Sequence, residues 1–212
     1  MLTLYFSPLA CSLSSRIALY EAQEAATYVQ VDTHTKRVQD GSDFYAINPM
    51  GQVPALRLED GTLITENSAI LQYLAARFST AKLMPEDLVE RTKAQQWMGF
   101  IATELHKALF VPLLTPNASE DVKLHARDKE KLRLHVLDRH LEGRTYLLDA
   151  FSVADAYLVT VLNWAEYCGV SLQPYPNVHD YFKRMQQRAS IARAMGEEFA
   201  LFQAEMEKRK RS

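Results

Sequence analysis

Apolar and polar positions alternate in the first part of the chain and recur at helical spacing in the rest. Leu2-Thr3-Leu4-Tyr5-Phe6 is a short β-prone run that ends at Ser7-Pro8. Leu13, Ile17 and Tyr20 follow at i, i+4 and i+7, the spacing of one helix face. Tyr28-Val29-Gln30-Val31-Asp32 alternates as a second strand, and Val53-Pro54-Ala55-Leu56-Arg57-Leu58 reads as a third. Glu59-Asp60-Gly61 turns the chain into a fourth, Thr62-Leu63-Ile64-Thr65. From Ser68 to Phe78, Ile70, Leu71 and Leu74 share a helical face. The order β-α-β, a loop with a short helix, then β-β-α predicts a small mixed sheet with covering helices.

After Met84 no strand pattern remains, and the fold class expected is α/β followed by all-α. Pro85 is placed to start a long amphipathic helix running to Phe110, with Trp97, Ile101, Leu105 and Ala108 as its apolar stripe. Val111-Pro112 and Thr115-Pro116-Asn117 interrupt it. A charged helix is expected from Ser119 to Leu141, with Leu124, Leu132, Val136 and Leu137 inward and Gly143 as its stop. Ser152-Val153-Ala154-Asp155 has capping-box spacing, with Asp in place of Glu or Gln. Ala154, Leu158, Val161, Leu162 and Ala165 give the helix behind it a broad apolar face, so this motif is a folding signal and carries no catalysis. Pro174 and Pro176 mark the next break, with one or two helices beyond. The expected division is residues 1–79, a linker at 80–88, and an all-helical part over 89–212. The charged run at 205–212 reads as a solvated terminus.

Charge and composition narrow the function classes. Lys and Arg number 24 against 26 Asp and Glu, for a formal net charge of −2, which removes the electrostatic case for a nucleic-acid binder. No apolar run approaches the roughly 20 residues of a membrane helix. Met1 to Phe6 has neither the basic start nor the long apolar core of a signal peptide. A cytoplasmic protein that engages no membrane is expected. Two cysteines, Cys11 and Cys168, do not make a disulfide framework.

Cys11 is the residue with the most chemistry. It follows a strand and a Ser-Pro turn and stands where the first helix begins, and a helix N-terminus favours a thiolate. It can equally be a small buried hydrophobe. Position 14 is Ser, so Cys11-Ser12-Leu13-Ser14 has the spacing of a dithiol redox site without its resolving sulfur. A mixed disulfide at Cys11 would need a thiol from outside. Val53-Pro54 precedes a strand; a cis bond there would aim backbone groups toward an extended peptide ligand, while a trans proline would be a plain strand entry. Thr65-Glu66-Asn67-Ser68 leads into a helix. Asn67 or Ser68 is a good N-cap, and Glu66 beside a helix N-terminus would suit a zwitterionic amino-acid head. Gly99, Thr103 and His106 share a face apart from the Trp97–Leu105 stripe and could line a cleft. The six histidines show no metal spacing, and no zinc site or phosphate-binding glycine loop is expected.

Taken together, these motifs resemble the cytosolic glutathione transferases, most closely the bacterial beta class, over essentially the whole length. The resemblance is carried by Ser7-Pro8-Leu9-Ala10-Cys11-Ser12-Leu13, by Asn48 to Leu56, by Leu63-Ile64-Thr65-Glu66-Asn67 and by Ser152 to Tyr157. Gln96 to Lys107 adds the class. It implies an N-terminal thioredoxin-like domain, a C-terminal helical bundle domain and a homodimer. It implies glutathione as co-substrate, an electrophilic small molecule as partner, and no metal.

The resemblance also implies site residues. Cys11 would face the glutathione sulfur, and His106 would approach the same sulfur from the helical domain. Val53, before a cis-Pro54, would pair its backbone with the cysteinyl unit. Glu66 and Asn67 would hold the γ-glutamyl ammonium and carboxylate. Lys36 would lie near the glycyl carboxylate, with Thr103 and Glu104 at the edge of the site. Leu9, Ser15-Arg16, Asn67 and Gly99 depart from the residues frequent in the class. The expected activity is activation of the glutathione thiol for attack on electrophiles. The alternatives are a glutathione-dependent thiol–disulfide oxidoreductase or peroxidase acting through Cys11, and a non-catalytic ligand-binding protein.

Overall fold

A computed structural model describes residues 1–211. They form two compact units, Met1–Leu83 with the chain from Arg188 onward, and Met84–Gln187. The sheet of the first unit has strand order β3-β2-β1-β4-β5. β1 (Leu2–Phe6) pairs in parallel with β2 (Ala26–Asp32), and α1 (Leu13–Glu21) is the crossover between them. β4 (Ala55–Arg57) runs antiparallel to β1, and β5 (Leu63–Thr65) antiparallel to β4. The thioredoxin-like arrangement expected for this part is present. β3 (Arg37–Val38) is the strand the pattern did not reveal: two residues cannot show alternation, and pairing of Val38 with Val31 defines it.

β1 is central, and Leu2, Leu4, Tyr5 and Phe6 bury side chains on both of its faces. Leu13, Ile17, Ile70, Leu71 and Leu74 of α1 and α2 (Asn67–Arg77) are fully buried. Tyr5, Val31, Val38, Phe44, Val53 and Ala55 form a separate apolar cluster.

α8 (Ala189–Arg211) belongs to this first unit and packs on α1, although residues 89–212 were expected to group together. Arg188 makes a bidentate pair with Glu21, with Nε and a terminal nitrogen each 2.6 Å from a carboxylate oxygen. Gln30 donates to Glu205 at 3.4 Å, and Arg209 lies 3.4 Å from Asp32. The terminal charged run is solvated as expected, with residues 206–210 exposed, but it is helical through Arg211, and Glu205 and Arg209 reach β2. Position 212 of that run lies outside the described residues.

The second unit is helical. α3 (Leu88–Phe100) starts later than Pro85, because Asp87 supplies the cap: its Oδ1 accepts from the N–H groups of Val89 and Glu90 at 2.9 and 3.0 Å. The helix widens into π-type turns over Ile101–Phe110 and closes with one turn, α4 (Val111–Leu114). The Val111 N–H reaches the His106 carbonyl, five residues back. Wide turns bring Ile101, Leu105, His106, Leu109 and Phe110 to the buried side together.

α5 (Glu120–Leu141) is capped by Ser119 and followed by Gly143 at φ +68°. Leu137 is buried as expected, with Ala126, Leu134 and Leu141. Leu124, Leu132 and Val136, expected inward, are 60%, 68% and 44% exposed. This helix carries two apolar stripes, and its packing against α7 (Pro176–Gln186) and the π segment chose the other one.

All ten residues of α6 (Val153–Leu162) are buried, so its polar start must be satisfied internally. Asp155 does this. It accepts from the Ser152 N–H at 2.9 Å, completing the capping box, and from the Ser152 hydroxyl at 3.0 Å. Its other oxygen accepts from the Leu147 N–H and the Tyr181 hydroxyl, both at 2.9 Å. Asp155→Ala would leave four buried donors without this acceptor, and the expected loss is about 3–5 kcal/mol of stability. Urea denaturation would read it as a lower midpoint at unchanged slope; an unshifted midpoint would refute the account.

Candidate functional site

Between β1 and α1 the chain makes a loop whose shape is held at three points. Leu9 sits at φ +59°, the left-handed region, and its N–H donates to Glu198 Oε2 at 2.7 Å. Ser12 Oγ accepts from the Ser7 N–H at 3.3 Å and donates to the Ser7 carbonyl at 3.2 Å. Cys11, partly exposed, donates its S–H to the Val53 carbonyl at 3.3 Å. The Val53–Pro54 bond is cis. A thiolate at Cys11 would face that carbonyl oxygen, so the bond belongs to the protonated cysteine.

Glu198 comes from α8 and is fully buried. Its Oε1 accepts from Arg16 Nε at 2.8 Å, and the guanidinium lies over the rings of Tyr28 and Phe6 at 3.9 and 4.5 Å. Arg16 also reaches Glu197 at 3.2 Å. Burial pushes the Glu198 carboxyl up to about 7, against the opposing pull of Arg16 and the Leu9 N–H.

The N-terminus of α2 lies beside that of α1. Glu66, exposed and at φ +69°, occupies the cap position, and Asn67 is the first helical residue. Neither Asn67 nor Ser68 is the cap. The first bonds of this helix run from Ala69 and Ile70 to the Glu66 carbonyl, so the N–H groups of Asn67 and Ser68 precede them. The Asn67 side chain is buried against α1, 3.1 Å from Ser14 Oγ and 3.4 Å from Ser15 Oγ. Ser14 Oγ also lies within donor reach of the Cys11 carbonyl, at 2.7 Å. Asn67 Oδ1 is the acceptor facing both serine hydroxyls, and Asn67 Nδ2 is buried with no hydrogen-bond partner among the described residues. Lys36, at φ +56°, donates to the Gly51 carbonyl at 2.9 Å. A Cβ at Gly51, itself at φ +59°, would stand 2.7 Å from the Tyr45 ring, so only glycine fits there.

The remaining sequence-derived residues all lie on the π segment of the second unit. Thr103 is exposed, with its hydroxyl on the Gly99 carbonyl at 3.0 Å. Glu104 pairs with Arg133 at 2.8 and 3.0 Å. His106 is buried and does not share the exposure of Gly99 and Thr103. Its Nδ1 is 2.7 Å from the Tyr157 hydroxyl. Burial, with Lys107 beside it, pushes His106 down to about 4, so the imidazole is neutral near pH 7.

The first unit thus gathers Cys11, Val53, Pro54, Glu66 and Asn67 around two adjoining helix N-termini, with Lys36 held on Gly51. The sequence reading missed Glu198, Ser14 and Tyr157. Glu198 lies 182 residues from Arg16 with no local motif. The one signal was Arg16 itself, an arginine in an apolar helix face that demanded an anion.

A family model described as "Glutathione S-transferase, N-terminal domain" matches residues 10–77, and one described as "Glutathione S-transferase, C-terminal domain" matches 100–189. A curated relative, glutathione S-transferase GstA of Escherichia coli, is 40% identical over 92% of this chain and 98% of its own. The solved bacterial beta-class glutathione S-transferase of Sphingomonas chungbukensis is 42% identical, with a TM-score of 0.88 over 92% of this chain and 98% of that one. A sphingomonad glutathione S-transferase solved with glutathione is 39% identical, with a TM-score of 0.87 and the same coverage. With the mixed sheet, the helical unit and both family domains present, the chain belongs to the glutathione S-transferases, and glutathione transfer is its activity.

Glu198 gives a pH signature. Its folded value of about 7 lies above the ordinary 4.5, so the native state holds an extra proton between the two. This group's contribution to stability is therefore present at low pH, falls as pH rises across that window and is level above it. Glu198→Gln cannot titrate and is expected to flatten that slope in denaturant melts between about pH 5 and 8. An unchanged slope in the variant would refute the assignment.

Proposed function

We propose that the first unit binds glutathione with its sulfur beside Cys11, and that the protein holds the thiol as thiolate for attack on an electrophilic small molecule. The observation that carries this reading is the Asn67–Ser14 tie between the first turns of α1 and α2. Two adjoining helix N-termini concentrate N–H donors and partial positive charge, the environment a thiolate and a carboxylate both need. Glu66 supplies an exposed carboxylate for the γ-glutamyl ammonium, and the N–H groups of Asn67 and Ser68 take the carboxylate. The Asn67 side chain serves by holding α2 to α1. Val53 pairs its backbone with the cysteinyl unit, Lys36 draws the glycyl carboxylate, and Thr103 and Glu104 edge the site. His106, carried over by resemblance, donates a hydrogen bond to the sulfur. In the reaction the thiol proton leaves to solvent, the sulfur forms a bond to the electrophilic carbon, and the leaving group departs with its electron pair.

In this reading Cys11 is a neutral neighbour of the sulfur and not the nucleophile, because its proton is engaged by the Val53 carbonyl. The second reading, thiol–disulfide exchange through Cys11, is favoured by the cysteine itself. It would need an outside thiol: Ser14 is no resolving residue, and burial pushes the Cys168 thiol up to about 11. The protein works without a resident metal, in the cytoplasm, as a homodimer. The exposed Leu124, Leu132 and Val136 on α5, and Tyr45 and Met50 in the first unit, are apolar side chains that a second copy would cover.

Calorimetric titration with glutathione is expected to give saturable heat. Cys11→Ala is expected to keep conjugation of an aryl halide within about tenfold and to lose exchange with a glutathione mixed disulfide. No heat and no turnover would sink the proposal. Loss of conjugation together with exchange would move the activity to the second reading.

A further inference from the structure

The buried face of the π segment holds a polar pair that the proposed reaction leaves unexplained. His106 and Tyr157 are each at least nine-tenths buried, and their Nδ1···Oη distance of 2.7 Å is a hydrogen bond. The imidazole is boxed by aromatic rings. Tyr157 meets it edge-on at 5.9 Å between centroids and 88° between planes, and Trp164 at 5.0 Å and 60°. Phe110 in turn packs on Trp164 at 5.9 Å. A ring held this way cannot exchange its two nitrogens by turning over without displacing buried neighbours. The side that meets Tyr157 is fixed, and only the placement of one proton is left to decide.

That proton can sit on Nδ1 and be donated to the phenol oxygen, or on Nε2 with the phenol donating to Nδ1. A phenol O–H is a strong donor, and its oxygen, conjugated with the ring, is a weak acceptor. The bare sp² nitrogen of a neutral imidazole is a strong acceptor. The shorter, stronger bond is therefore O–H···Nδ1, which leaves the hydrogen on Nε2. We propose that Tyr157 is a positioning residue that fixes His106 as the Nε2–H tautomer, making it a neutral hydrogen-bond donor and not a general base. This rests on the reading that His106 faces the glutathione sulfur. An Nε2–H donor stabilises a thiolate without adding a charge to the pocket, whereas the opposite tautomer would present a lone pair and repel it. The low proton affinity of this buried histidine fits, since protonation would break the bond from Tyr157. The neighbouring charge of Lys107 acts in the same direction.

The test is imidazole ¹⁵N NMR on the full-length protein labelled at histidine, near neutral pH. In the wild type, Nδ1 of His106 is expected to be pyridine-like and Nε2 pyrrole-like, and His106→Ala assigns the signals. Tyr157→Phe is expected to convert this to a mixture of tautomers. It should also lower kcat for conjugation about fivefold with the KM for glutathione nearly unchanged. A pyrrole-like Nδ1 in the wild type overturns the proposal, and that spectrum needs no variant to fold. An unaltered tautomer pattern in Tyr157→Phe overturns it as well. Full conjugation activity in His106→Ala would instead remove the histidine from the sulfur while leaving the NMR result to decide the pairing, so the two failures are distinguishable.

Discussion

A carboxylate near the far end of the chain holds the loop on which the chemistry depends. Glu198 is buried with one oxygen on Arg16 and the other on the Leu9 N–H. An isolated carboxylate in that position would be intolerable, and an isolated Arg16 equally so; each is tolerated because the other is there. The pair fixes α8 on α1 and, through Leu9, fixes the backbone that leads into Cys11. Leu9 holds a left-handed conformation that a glycine would adopt more cheaply, and the bond from its N–H is part of what keeps it there. The first unit is thus not the thioredoxin-like segment alone. It includes the last helix of the chain, because the loop needs the acid that helix carries.

The same pairing of polar groups recurs at Asn67 and at Ser15-Arg16, where the sequence departs from what is frequent in the family. Asn67 would be an awkward residue to bury alone. The Ser14 and Ser15 hydroxyls face its amide oxygen as donors, and the result is a tie between two helix N-termini. Ser14 occupies the position of a missing resolving thiol, and it is not idle: its hydroxyl lies within donor reach of the Cys11 carbonyl and of Asn67 Oδ1. Arg16, too, is answered by an acid from another element. These substitutions are coherent with one another because each buried polar atom demands a partner.

In the second unit the polar demand is met by Asp155 and by the His106–Tyr157 pair. Asp155 lets a helix that is apolar all round begin inside the protein, serving α6, the segment before it and Tyr181 on α7 at once. Tyr157 lies two residues further along α6 and delivers its hydroxyl to the widened segment that carries His106. A helix that is structural by every sequence criterion therefore also supplies the group that orders a proposed catalytic imidazole.

Local patterns were legible because they rest on local physics. β-prone runs, the alternation at Tyr28–Asp32 and the turn at Glu59-Asp60-Gly61 marked four of the strands, since each is set by neighbours in sequence. The capping box at Ser152–Asp155, the glycine stop at Gly143 and the break at Pro176 are decided by groups a few residues apart. The family motifs around Cys11, Pro54 and Glu66 were legible for the same reason. What the sequence could not settle were choices between equal local options. Two apolar stripes run along α5, and only packing against α7 and the π segment decided which to bury. The Leu88 helix start rests on a local cap, Asp87, that competes with Pro85 as a start signal, whereas the two-residue β3 depends on its pairing with β2. The partnership of Arg16 with Glu198 spans 182 positions, and no spacing rule connects residues that far apart. Buried polar groups must be paired, so the sequence determined that Arg16 needed an anion; which anion, and that it would also hold the Cys11 loop, was decided only when the last helix packed on the first.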